Sequence, residues 1–399
     1  MMDAVLLSVL LAAVAIGFGL GYRQARKRDK PTRQALSPTL SRDYFVGLNY
    51  LLNEQPDEAI HTFIRALEVN SDNVDTHIAL GKLFRTRGEA DKAVSIHQNL
   101  LARPALTAPQ NEQVQLELAR DFIALGVHDR AQRLLESVIG HTQQDDHRIT
   151  AKRLLIDLLE REKAWQQALD LALPMLKQQP QLRRPAAHWL CEMAEDEIRQ
   201  ASRALAKRHL KKALQLDEQC VRANLRLAEL EMDNGHYRHA IARLKSIPHQ
   251  ARAHIPTMLP TLKRAYWRAD DMPGFEAYLL DLLETAPLTS VIVSLSEVIH
   301  QRDGVERAIE VTGRYLHQSP SLGGLDHLID LYIESQQLSG RENPDSRLLL
   351  LKHHTQALLR NRPRHRCQRC GFSADSLHWL CPSCRHWGTV EPITGVEGE

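Results

Sequence analysis

Four cysteines stand in two pairs near the carboxy terminus, Cys367 with Cys370 and Cys381 with Cys384, spaced C-x2-C-x10-C-x2-C. The chemistry open to them is tetrahedral metal ligation. Two residues between cysteines form a tight turn that aims both sulfurs at one ion, and two such knuckles supply four thiolates. Gly371 suits the chain reversal after the second thiolate. Four thiolates accept iron or zinc, so the residues leave the metal open. A stretch of about 30 residues buries too little apolar surface to fold unaided, so the ion has to supply folding free energy. Phe372, Trp379 and Trp387 are expected as a cap over the cluster. Two disulfides are the competing reading, which a cytoplasmic location disfavours.

The rest of the chain must hold this module in place. It has 399 residues with 51 Lys+Arg against 49 Asp+Glu, a net +2. Near-neutrality gives no whole-molecule field that would select nucleic acid or an acidic substrate. Hydrophobic residues at 43% and charged ones at 25% indicate a globular body, and aromatics at 5% favour an Ala/Leu-rich helical protein over a β-sandwich or barrel. Six cysteines are too few for a disulfide-stapled scaffold of this size. Cys191 and Cys220 have no knuckle partners and read as buried small hydrophobes.

From Ala4 to Tyr22 no residue is charged. A helix of that length spans roughly 28 Å, enough for a hydrocarbon core of about 30 Å. Arg23, Arg26, Lys27, Arg28, Lys30 and Arg33 follow it, whereas a cleaved signal would carry its basic residues ahead of the apolar stretch. The reading is a transmembrane anchor over 1–22 and a basic juxtamembrane linker over 23–39, with the body on the cytoplasmic side of the membrane. A GxxxG spacing, Gly17 to Gly21, would allow two such helices to approach closely as a homodimer.

Residues 40–335 repeat. Gly47, Tyr50, Ala59, Phe63 and Ala66 recur 34 positions later as Gly81, Phe84, Ala93, His97 and Leu100. A small residue marks the second helix of each unit at Ala59, Ala93, Ala131, Ala168, Ala206, Ala240 and Ala308. Small residues on both helices let them cross closely while large ones fill the gap to the next unit. This resembles the tetratricopeptide repeat, in about eight or nine units, with an uncertain register between about 255 and 335. The expected fold class is therefore all-α: a superhelical solenoid after one transmembrane helix and before a small rubredoxin- or zinc-ribbon-like module at 363–391, with a linker or terminal helix at 336–362. Such an array binds protein surfaces and carries no catalytic residues of its own. Lys82, Arg85 and Arg120 fall near first-helix positions that usually line the groove.

Between Lys352 and Arg369 stand Lys352, Arg360, Arg362, Arg364, Arg366 and Arg369, with no acid. They permit a nucleic-acid reading, but they also offset the charge of about −2 on a tetrathiolate metal site. The order of apolar segment, repeat array and terminal RCQRCGF…WLCPSCRHWGT module resembles the lipopolysaccharide assembly protein B family. Cys367, Cys370, Cys381 and Cys384 match its rubredoxin-like knuckles, with Trp379 and Trp387-Gly388-Thr389 in support; His365 stands where an aromatic often precedes the first knuckle. The resemblance implies a non-enzymatic inner-membrane adaptor. It would help the membrane protease FtsH degrade the LpxC deacetylase and would answer to other lipopolysaccharide-pathway proteins of that membrane, without nucleic acid. A rubredoxin-type electron carrier and a membrane-tethered nucleic-acid-binding scaffold are the alternative readings. The metal module is further expected to pack back on the last repeats.

Overall fold

A computed structural model describes residues 42–69, 73–339, 345–360 and 362–396. The expected anchor and basic linker lie outside the described residues. Among the described residues no helix is long and apolar enough to cross a membrane.

The array consists of successive helix pairs. They are α1 Arg42–Leu52 with α2 Pro56–Val69, α3 Val74–Thr86 with α4 Ala90–Leu101, α5 Ala108–Ala124 with α6 His128–His141, and α7 Asp145–Arg161 with α8 Trp165–Ala172. Then come α9 Arg183–Arg199 with α10 Arg203–Leu216, α11 Val221–Asp233 with α12 Tyr237–Leu244, and α13 Ile255–Arg268 with α14 Met272–Thr285. The last two pairs are α15 Thr289–Asp303 with α16 Val305–Gln318, and α17 Leu322–Leu338 with α18 Ser346–Arg360. Residues read above as a linker or terminal helix thus contain the second helix of a further pair. Side chains start several helices by capping backbone N–H groups that no turn precedes. Asn73 accepts from the Thr76 N–H at 3.2 Å and Ser321 from the Gly324 N–H at 3.1 Å.

Two compact units divide the chain, one ending at Leu158 and one beginning at Leu159. In the first, the repeat's packing rule is visible in the glycines. A Cβ on Gly47 would sit 2.5 Å from the Phe63 ring, and one on Gly81 would sit 2.4 Å from the His97 ring. The small residue of the first helix is therefore a seat for the large residue sixteen positions later. Ala119 with Leu135, Ala194 with Leu210 and Ala228 with Leu244 occupy the same two positions, all fully buried. In the eighth pair a polar couple replaces them, with Thr312 Oγ1 donating to Ser296 Oγ at 2.8 Å.

The second unit has a continuous core running from Val221 to Val311 through Leu262, Phe275, Leu279 and Leu295. After α18 the chain forms a three-stranded antiparallel sheet, with β1 His365–Cys367 between β2 Ser373–Ala374 and β3 Val390–Pro392. This small sheet carries the knuckles.

Candidate metal centre

The four sulfurs converge. Their Sγ atoms all lie within 4.8 Å of one another, with 3.7 Å between Cys367 and Cys384 and 3.7 Å between Cys370 and Cys381. A tetrahedron with metal–sulfur bonds of about 2.3 Å has edges of about 3.8 Å, so this donor set fits one ion without rearrangement. The ion would be held by the four thiolates and would fasten the two knuckles to each other, adding to the bond from the Gln368 N–H to the Thr389 carbonyl at 2.8 Å. Backbone bonds build both turns alike. The Gly371 N–H donates to the Cys367 carbonyl at 3.0 Å and the Cys367 N–H to the Phe372 carbonyl at 2.7 Å. In the second knuckle the Arg385 N–H donates to the Cys381 carbonyl at 2.8 Å and the Cys381 N–H to the His386 carbonyl at 3.0 Å. Both turns end in the left-handed region, Gly371 at φ +76° and Arg385 at +52°. The second knuckle reaches without glycine a conformation that costs an L-residue about 1–2 kcal/mol. The backbone N–H of Phe372 holds the Cys370 thiol below its ordinary pKa, which favours the deprotonated ligand.

Cys367, Cys381 and Val390 form the module's core, with Phe372 and Leu377 against them. Of the three aromatics expected as a cap, only Phe372 serves as one. Trp379 and Trp387 point the other way, into the helical array. The ring of Trp387 stacks on His188 of α9 with centroids 5.1 Å apart and planes inclined by 17°. It also meets the edge of Trp165 at 6.2 Å. Trp379 stacks on His254, just before α13, at 5.5 Å and 27°. One carboxylate oxygen joins the two parts, because Glu160 Oε2 accepts from Trp387 Nε1 and from Trp189 Nε1, each at 2.8 Å. Arg385 adds a looser contact to Glu160 Oε1 at 3.9 Å.

The expectation that the module packs on the last repeats is corrected: it packs on the fourth to sixth pairs and the turn before the seventh. The physical reason is where the aromatic surface lies: four of the chain's five tryptophans meet at this seam. Burial and the nearby guanidiniums of Arg222 and Arg184 push His188 down to about 3, and burial foremost pushes His254 down to about 4. Both rings are neutral near pH 7 and can stack without desolvating a charge. Sequence reasoning singled out none of Glu160, Trp165, His188, Trp189 and His254 for this role. The available signal was two tryptophans on Ala/Leu-rich helices, where smaller apolar residues would satisfy the repeat.

A family described as rubredoxin metal binding domain matches residues 365–392, and tetratricopeptide repeat families match 47–107 and 197–258. Lipopolysaccharide assembly protein B of Escherichia coli (strain K12) is 32% identical over 98% of this chain and 100% of its own length. The chain belongs to the lipopolysaccharide assembly protein B family. The protein of the same name from Haemophilus influenzae is 30% identical over 99% of this chain and 100% of its own length.

The basic residues expected above to line a repeat groove prove to be tied down by carboxylates. Arg85 reaches Asp121 at 2.6 Å and Glu117 at 2.9 Å, Lys82 reaches Glu117 at 3.2 Å, and Arg120 bonds the same carboxylate. Burial alone would raise the pKa of Glu117, but Arg120, Lys82 and Arg85 outweigh it and hold the group below its ordinary value. His97 Nδ1 also bonds Asp121, so these charges form an internal clamp between α3, α4 and α5. Lys352 does not serve the metal site; Asp326 and Asp330 of α17 bind it at 2.8 and 2.5 Å. Cys191 and Cys220 are buried and face each other with sulfurs 3.9 Å apart, too far for a disulfide.

Proposed function

We propose that this chain is a non-catalytic adaptor of the inner membrane that restrains lipopolysaccharide synthesis by presenting the LpxC deacetylase to the membrane protease FtsH. Family membership supplies the pathway. The observation that carries the adaptor reading is the seam at Glu160, where the metal module and the helix pairs become one continuous surface. An adaptor acts by holding two partners together, and a rigid surface loses less entropy on binding than a hinged one. Tethered beside a membrane protease, it would raise the effective concentration of a soluble substrate without performing chemistry. The apolar segment Ala4–Tyr22 supports a single-pass anchor with the body on the cytoplasmic side. The four thiolates take iron or zinc in a structural role under this reading.

The test is recovery of the full-length, tagged chain in mild detergent from its native host, followed by mass spectrometry. The protease and the deacetylase are expected in the wild-type eluate and depleted from that of Cys381→Ser, with the deacetylase accumulating in the variant strain. If both partners are absent from the wild-type eluate, or if deacetylase turnover is unchanged in the variant, the reading fails.

A further inference from the structure

The second helices of the fifth and sixth pairs differ from their counterparts in charge. α10 carries five Lys and Arg and α12 carries two, and neither carries an Asp or Glu. From α2 to α16 every other second helix has at least one acid, among them Asp57, Asp91, Asp170 and Asp281. Against a net charge of +2 for the whole chain, this is a local concentration of positive charge. Like charges one turn apart, such as Lys207 and Lys211, oppose the helix that carries them, so the stability of α10 does not account for the pattern.

The two helices flank a cleft of about 500 Å³, lined from α10 by Lys207 and Lys211 and from α12 by His239 and Arg243. Each couple is four residues apart, which places its members one helical turn apart on the same face. Glu231 is the one acid in the lining; it is buried and already engaged. Lys207 Nζ reaches its Oε1 at 2.5 Å, and His236 Nδ1 lies 3.1 Å from its Oε2. Arg203, at the start of α10, is answered by Asp233 at 3.5 Å. No carboxylate among the described residues is left to pair with Lys211 or Arg243. Lys82, Arg85, Arg120 and Lys352 are the contrast, since each is held by an acid of the chain itself.

The missing partner is therefore an anion from outside, and the form of the cleft selects its kind. A bilayer presents its phosphates in a plane, which does not follow cations into a cleft. Single-stranded nucleic acid takes much of its binding from aromatic stacking platforms, and the lining holds no Phe, Tyr or Trp. A helix with carboxylates at i and i+4 repeats the one-turn spacing found on both sides of the cleft. Ala242 and the methylene stems of the lysines and Arg243 offer the body of such a helix an apolar bed.

We propose that the cleft between α10 and α12 docks an acidic helical segment of a partner protein, whose carboxylates meet Lys211 and Arg243. The adaptor reading gives this contact its purpose, and on that point the proposal rests on it. Binding of a peptide to the purified protein nevertheless stands or fails separately from recovery of the protease and the deacetylase.

The experiment is fluorescence anisotropy of a labelled, Ala-based helical peptide with Glu at every fourth position, titrated with the metal-loaded full-length chain in detergent. The same peptide with Gln in place of Glu is the comparator. Saturable binding of the Glu peptide is expected, about tenfold tighter than that of the Gln peptide and weakening as salt is raised. Lys211→Glu and Arg243→Glu should each weaken it about tenfold, with metal content and far-UV circular dichroism unchanged. Lys177→Glu, an exposed charge outside the cleft, should leave it as it is. No saturable binding, equal binding of the two peptides, or binding that both charge reversals leave intact overturns the proposal. Glycerol 3-phosphate and a single-stranded oligonucleotide are the competitors that stand for a lipid headgroup and a nucleic acid. If either displaces the labelled peptide at lower concentration than unlabelled Glu peptide does, the cleft is a phosphate site and the proposal is equally overturned.

Discussion

Single residues decide whether the metal module stays attached. Glu160 Oε2 accepts from two indole N–H groups, on Trp189 and Trp387, whose rings are almost wholly buried. Glu160→Leu strands both donors, at about 1–3 kcal/mol each. Denaturant titration of the second unit should show a loss of about 2–5 kcal/mol, with faster metal release to a chelator; Glu160→Gln keeps a carbonyl acceptor and should lose about 1 kcal/mol. In the first knuckle Gly371 lies at φ +76° with open space where a Cβ would point. Gly371→Ala therefore meets backbone strain without a clash, about 1 kcal/mol. Because the metal supplies the module's folding energy, a competition titration should register this as roughly fivefold weaker metal affinity. The cysteines were legible because ligation by a knuckle is a local pattern of spacing. Glu160 was not, since it has no local signature and meets Trp387 only across 227 residues of chain.

At the scale of helices, the repeat is a rule about complementary sizes. A glycine or alanine on the first helix seats a large side chain sixteen positions on. Gly47→Ala alone pushes a methyl group into Phe63, and overpacking of this kind costs about 1–3 kcal/mol. Combined with Phe63→Leu it recreates the Ala/Leu couple present at Ala119 and Leu135. Thermal unfolding of the two single variants and the double variant should reveal favourable coupling of about 1 kcal/mol or more, the double being more stable than the sum of the singles. If the effects add, the two residues do not share the packing assigned to them. This rule made the units before 250 readable from sequence. It fades in the seventh pair, where Phe275 takes the position that alanine holds in α12, and Lys263 takes that of Ala228 and instead reaches Glu297 at 2.6 Å. Register was obscure there because burial is achieved by a different arrangement of sizes, while helical periodicity persisted.

For the molecule as a whole, two neutral histidines make the seam sensitive to acid. His188 and His254 have folded pKa values near 3 and 4, below the ordinary 6.5. Between about pH 4 and 6.5 the unfolded chain takes up protons that the folded chain refuses, so stability falls as pH falls through that window. By pH 5 each histidine accounts for roughly 2 kcal/mol as an upper bound. Stability of the second unit measured from pH 7.5 to 5 should decline, and His188→Phe, which keeps the stack on Trp387 but cannot ionise, should decline less steeply. An identical slope in the variant would remove His188 as the cause. The same seam also has a history in time. At about 5–20 residues per second, synthesis reaches Trp387 on the order of ten to forty-five seconds after Glu160 has been made. Through that interval the helix pairs around α9 wait with Glu160 and His188 uncovered. A nascent chain interrupted before residue 365 never supplies the cover. Completion of the polypeptide is thus registered in the middle of the array, where Glu160 and His188 gain their cover.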